Sequence, residues 1–137
     1  MHEFALHHQL AADCHVVGDL PLSTVLLFDE QRYPWVILVP RVPSIREIYE
    51  LSGVQRERLV EESCAVGQFL LEAFAGHKLN IGALGNVVPQ LHIHHVVRNV
   101  GDPAWPGPVW GHSPRQPYER DACIERIAKI TAGLGLT

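Results

Sequence analysis

Residues Pro89 to Arg98 read Pro-Gln-Leu-His-Ile-His-His-Val-Val-Arg. Leu91, Ile93, Val96 and Val97 are apolar or β-branched, which suits a strand. Side chains of a strand alternate between its two faces. Gln90, His92, His94 and Val96 therefore share one face, and Leu91, Ile93, His95 and Val97 the other. Neighbours on one face stand about 7 Å apart. An amide and two imidazoles thus form a row on an apolar backing, and imidazoles titrate near neutral pH. Two such groups at i, i+2 cost free energy to desolvate, so His92 and His94 read as chemical groups. His95 lies on the apolar phase and reads as packing.

Working upstream, Lys78-Leu79-Asn80-Ile81-Gly82-Ala83-Leu84 reads as another strand, joined to the histidine strand by a Gly85-Asn86-Val87-Val88 loop. Before it, Ser52-Gly53-Val54-Gln55 has the form of a capping box and opens a long helix to about residue 75. Leu59, Val66, Leu70 and Phe74 recur at helical spacing, with Val60 and Phe69 widening the stripe. Gly76 is expected to stop that helix. Residues 23–28 and 35–39 are apolar at nearly every position, with a short polar connector between them. They predict an antiparallel hairpin covered on both faces. His15-Val16-Val17 reads as a short strand, and residues 3–13 as an N-terminal helix with His7 and His8 on its exposed side. Downstream, residues 99–116 are rich in proline and glycine and predict irregular structure, including Trp105 to Gly111. A final helix over 117–132 is expected to turn Cys123, Ile124, Ile127 and Ile130 inward. Helices and strands are segregated rather than alternating, so the fold class is α+β. It comprises an antiparallel sheet of about five strands, a long helix and a C-terminal helix, in one domain over 1–137.

Composition narrows the function. The chain has 137 residues, 47% of them hydrophobic, and a net charge of −4 with His neutral. No Lys/Arg cluster marks a surface for long nucleic acid, although a single nucleotide needs none. Cys14, Cys64 and Cys123 are odd in number, widely spaced and without a CxxC, which predicts free thiols in a reducing compartment. No apolar run reaches the length of a membrane span, and Met1-His2-Glu3-Phe4 lacks a basic leader. The expectation is a cytoplasmic protein without membrane contact.

Two chemistries suit the imidazole row. Two His at i, i+2 can open a zinc or iron site, but a further ligand is needed. His95 to Asn99 supply no carboxylate, Asp102 comes later, and Arg98 adds positive charge. No metal is therefore expected there. Alternatively, neutral imidazole is a good nucleophile toward phosphorus. A second imidazole can then serve the phosphate oxygens or the leaving group, and N–H groups of the 85–88 loop are placed to hold developing charge.

The stretch Gln90-Leu91-His92-Ile93-His94-His95-Val96 resembles the histidine triad (HIT) motif, His-φ-His-φ-His-φ-φ with φ apolar. It departs at the first histidine, where Gln90 stands, and His95 occupies one apolar position. The order of hairpin, connector, long helix, strand, loop and motif strand, with Leu-Val-Pro at 38–40, is similar over residues 15–98. The Gln variant followed by Trp-Pro-Gly-Pro-Val-Trp resembles a bacterial subgroup. The resemblance implies a HIT-like fold, a homodimer, and nucleotide hydrolysis or transfer through a nucleotidyl-histidine intermediate on a dinucleoside polyphosphate or nucleoside phosphoramidate. It implies His92 as nucleophile, His94 at the α-phosphate and leaving group, and Gln90 orienting the nucleophile. It further implies Asp29 at the ribose and Asn86 near the phosphate. No cofactor is implied beyond Mg²⁺ arriving with a polyphosphate. Trp35 stands close to where many relatives carry a fourth histidine. The alternatives are a non-catalytic nucleotide-binding module and a metal-dependent His-x-His enzyme.

Overall fold

The computed structural model describes residues 3–136; Met1, His2 and Thr137, and the expectations that touch them, lie outside that range. Five strands form one sheet: β1 (Cys14–Asp19), β2 (Ser23–Phe28), β3 (Trp35–Pro40), β4 (Lys78–Gly82) and β5 (Ile93–Arg98). Their spatial order is β1-β2-β3-β5-β4, and every neighbouring pair is antiparallel. Three α-helices accompany the sheet: α1 (His8–Asp13), α2 (Gly53–Ala73) and α3 (Arg120–Leu134). This is the expected α+β architecture.

The largely apolar hairpin explains why the sheet has two cores. Val25, Leu27, Val36, Leu38 and Val97 face Val66 and Leu70 of α2 and Cys123 and Ile130 of α3. Leu26, Ile37, Val39 and Val96 face Leu10 of α1, Trp35, and Ala104 and Val109 of the segment after β5. Each fully buried aliphatic side chain contributes about 1.5–3 kcal/mol. Both faces of β2 and β3 are therefore stabilised, and β5 is held between β3 and β4 with one face toward each core.

α2 opens as its sequence predicts. Ser52 Oγ accepts the Gln55 N–H at 3.1 Å, and Gln55 Oε1 accepts the Ser52 N–H at 2.9 Å. Leu59, Val66 and Leu70 are buried, but Val60 is 61% exposed and does not widen the stripe. The left-handed residue at the end of α2 is Ala75 (φ 49°), not Gly76. Gly76 answers to space instead, since a Cβ there would lie 2.4 Å from Val97 Cγ1. In α3, Gly133 stays inside the helix because the Phe69 ring presses on it, and Gly135 (φ 64°) ends it. Ile124 is 54% exposed, a correction to the expected inward stripe.

Further boundaries differ from the sequence reading. The histidine strand proper begins at Ile93, and Gln90 to His92 form its run-in. Residues 3–7 are not helical, because the Gln90 amide takes their backbone: His7 N–H donates to Gln90 Oε1, and Gln90 Nε2 donates to Ala5 O, each at 2.9 Å. The last helix begins at Arg120 rather than at Pro117, and residues 99–116 contain no strand or α-helix, as expected. That segment is tied down by a buried pair in which Arg98 donates to Asp102 at 2.8 and 2.9 Å. Arg32 adds bonds to Ser113 Oγ and Pro114 O at 3.0 Å.

Candidate active site

His94 pairs with Ile37 of β3 and Gly82 of β4, near the middle of the sheet. Two positions before Ile37, Trp35 lies on the same face. Its indole Nε1–H donates to His94 Nδ1 at 2.9 Å. An indole N–H can only donate. His94 Nδ1 is therefore bare, and the proton of neutral His94 sits on Nε2. His92 is held the opposite way. Its Nδ1 lies 2.7 Å from the Gln90 backbone oxygen, which can only accept, so His92 Nδ1 carries the proton. His92 Nε2 is left with a free lone pair. The two rings lie 5.1 Å apart at 62°.

Both imidazoles are buried, His92 at 7% and His94 at 8% exposure. Desolvation, reinforced by the neighbouring His92 and His95, pushes the His94 pKa down to about 3. His94 therefore meets a ligand at neutral pH as a neutral N–H donor. His95 points the other way. Its Nδ1 lies 3.1 Å from Ile93 O and its Nε2 2.7 Å from Ser63 Oγ, which fastens β5 to α2. Burial lowers its pKa to about 4. That geometry fits the packing role expected of His95.

Two recesses meet at the imidazole row. His94 lines a cavity of about 320 Å³ together with Phe28, Tyr33, Trp35, Arg32 and Trp110. His92 opens on a narrow cleft shared with Arg46, Gly85, Pro89 and Gln90. Trp110 packs edge-on against His94, with ring centroids 5.6 Å apart, and over Gly82, where a Cβ would lie 3.1 Å from its ring. The Trp110 Nε1–H is buried without a partner among the described residues.

The structure brings His92 and His94 together and spreads the other candidates. Gln90 adjoins His92 through its backbone carbonyl, while its side chain is turned to Ala5 and His7. Asn86 is exposed in the 83–92 loop and lines a separate recess with Arg46, Tyr49 and Glu50. Asp29 lies at the end of β2. Its carboxylate accepts from His15 Nε2, Arg115 Nη1 and the Tyr118 N–H, each at 3.0 Å. Desolvation acts to raise the Asp29 pKa, but the bonds from His15 and Tyr118 and the charge of Arg115 hold it below the usual value. Asp102, the acid weighed as a metal ligand, is spent on Arg98. Among the described residues no three His, Cys, Asp or Glu side chains form a group that could hold a metal ion.

Sequence reasoning missed the work of Trp35 and Trp110. Trp35 stood out only as a departure from a family pattern, and Trp110 only as part of a Trp-Pro-Gly-Pro-Val-Trp run. The strand phase of Trp35, matched to that of His94 across β3 and β5, was the signal available.

The HIT domain family matches residues 9–101. This chain belongs to the histidine triad family. Among solved structures, a histidine triad protein from Marinobacter aquaeolei VT8 is 52% identical, with a TM-score of 0.96 and 98% of each chain covered. One from Bradyrhizobium japonicum is 42% identical, with a TM-score of 0.94 and coverage of 96% of this chain and 98% of its own. One from Sinorhizobium meliloti 1021 is 39% identical, with a TM-score of 0.93 and coverage of 95% and 96%. No match was found among curated proteins. HIT family members are in general nucleotide hydrolases or transferases.

Proposed function

We propose that this HIT protein cleaves a nucleoside 5′-phosphoryl bond through a nucleotidyl intermediate on His92. The observation that carries this reading is the pair of opposite tautomers: a bare His92 Nε2 beside a neutral His94 that carries its proton on Nε2. In the first step His92 Nε2 bonds the α-phosphorus and the bond to the leaving group breaks. The ring becomes positive, and the Gln90 carbonyl accepting from Nδ1–H stabilises it. A polyphosphate leaves as an anion and needs no proton; an amine leaves after taking one from water. His94 serves the phosphate oxygens by hydrogen bonding. The same Nε2–H also serves the leaving group by hydrogen bonding. In the second step water attacks phosphorus and releases a proton to solvent, the P–N bond breaks, and His92 regains its lone pair.

Asn86, next to the His92 cleft, is assigned to the phosphate, and Asp29 to the ribose once its bond to Arg115 opens. Dinucleoside polyphosphates and nucleoside phosphoramidates are the substrate classes, with any Mg²⁺ arriving on the polyphosphate. A homodimer is assigned from the likeness to the histidine triad family, with exposed apolar side chains such as Val54 and Val87 available to an interface. Free Cys14, Cys64 and Cys123 suit a reducing cytoplasm. No helix among the described residues is long and apolar enough to cross a membrane.

His92→Ala tests the mechanism. Turnover is expected to fall at least about 10³-fold, with nucleotide binding retained and no adduct in the mass spectrum of rapidly quenched protein. Wild type is expected to show an adduct mapped to His92. Thermal stabilisation by nucleotide with neither adduct nor product from wild type would favour a binding module instead.

A further inference from the structure

We infer that Gln90 is a positioning residue that fastens residues 4–8 behind the aromatic cluster lining the His94 cavity, rather than a group that takes part in the proton chemistry of His92. Three observations carry this. First, the nucleophile is oriented by the backbone of residue 90. The His92 Nδ1 contact is with the Gln90 carbonyl, which any residue at that position would supply. Second, both polar atoms of the Gln90 side chain are engaged elsewhere. Its oxygen accepts the His7 N–H and its nitrogen donates to Ala5 O, so one amide satisfies two backbone groups of an extended segment. An imidazole has one donor and one acceptor on opposite sides of its ring and cannot reproduce this two-point grip on neighbouring residues. Third, the held segment lies on the reacting face of the sheet. Phe4 and Leu6 pack on the cluster that contains Trp35 and Val96, the residues that flank His94. The first motif position thus links the nucleophile, through its backbone, to the packing behind the His94 cavity, through its side chain.

The consequence is a specific kinetic pattern. Releasing residues 4–8 loosens the aromatic cluster that lines the His94 cavity without touching the reacting atoms. Substrate affinity should suffer and the chemical step should not. The kinetic arm of this inference rests on the nucleotidyl reading; the exchange arm below does not.

The test compares Gln90→Ala, Gln90→Glu and Gln90→His with wild type. Hydrogen exchange is read at the His7 amide, and kcat and KM are read with a dinucleoside polyphosphate. In Gln90→Ala, KM should rise about tenfold, the equivalent of one or two neutral hydrogen bonds, with kcat within about twofold. Protection of the His7 amide should be lost. Gln90→Glu keeps the acceptor for His7 and loses the donor to Ala5, so it should fall between. It also covers the case in which the alanine variant fails to fold. Gln90→His should match Gln90→Ala in KM and exchange, with no gain in kcat. A Gln90→Ala enzyme with low kcat, unchanged KM and a protected His7 amide would overturn the inference. So would a Gln90→His enzyme with raised kcat and a shifted pH profile. If wild type forms no adduct at His92, the nucleotidyl reading fails. Exchange at His7, together with the affinity for a non-hydrolysable dinucleotide, then still decides the role of Gln90: weaker binding with lost protection supports it, and unchanged values overturn it.

Discussion

His94 and His95 are neighbours on β5, both buried and both held as neutral imidazoles, yet they face opposite cores and do different work. His95 looks toward α2, and both of its nitrogens are engaged, by Ser63 Oγ and Ile93 O. Nothing is left over for a ligand. His94 looks toward the aromatic core, where Trp35 takes its Nδ1 and no protein group takes the Nε2 proton among the described residues. The burial is alike and the residue type identical. What separates structure from chemistry is the one hydrogen-bonding atom left unspent, facing a cavity.

The comparison breaks most visibly at His95. His95→Ala opens a cavity between β5 and α2 and strands the Ser63 hydroxyl. A loss of about 2–4 kcal/mol in unfolding free energy is expected, read from a urea midpoint. Turnover per folded molecule should stay near wild type. A large loss of turnover in folded His95→Ala protein would mean that the two imidazoles are not separable in function.

A second effect, common to both residues, is expected from pH. Their folded pKa values of about 3 and about 4 lie below the ordinary imidazole value, so the unfolded chain binds protons that the folded one refuses. Stability is therefore full above about pH 6.5 and is lost as pH falls, by up to about 1.4 kcal/mol per pH unit for each imidazole. The loss continues until the folded values are approached. Chemical denaturation at steps between pH 7.5 and 4.5 checks this, and a flat profile would contradict the burial argument for both residues.

Much of this arrangement was legible before any coordinates. Hairpin strands apolar at nearly every position predict burial on both faces, because a one-sided strand would alternate. Ser52 and Gln55 announce a helix start through groups only three residues apart. The strand phase separates His94 from His95. What escaped depends on distant partners. The proton on His94 is set by Trp35, 59 positions away in sequence. The grip of Gln90 on Ala5 and His7 spans 85 and 83 positions, and it removes backbone groups from what local periodicity reads as the first turn of a helix. Asp29 could be placed at the end of β2, but not its engagement by Arg115 and Tyr118, which arrive from the irregular segment after β5. Ile124 follows a helical stripe whose inward width depends on how α3 lies, and that is set by Gly133 against Phe69.

The finest test of the comparison lies at Trp35. Trp35→Phe keeps an aromatic ring against Phe28 and Trp110, which now sit 4.5 and 6.2 Å from the indole, and deletes the N–H that selects the His94 tautomer. His94 Nδ1 then loses its donor in a dry site. The ring gains the freedom to carry its proton on either nitrogen, so the donor toward substrate is present only part of the time. A fall in kcat of about 10- to 50-fold is expected, equivalent to about 1.4–2.3 kcal/mol at the transition state, with stability reduced by about 1 kcal/mol. Nuclear magnetic resonance of the imidazole nitrogens reports the cause directly. Wild-type His94 should show a protonated Nε2, the variant a mixture, and His95 no change in either protein. If kcat falls while the His94 tautomer stays fixed, the indole acts through shape alone, and the distinction between the two faces of β5 rests on packing rather than on proton position.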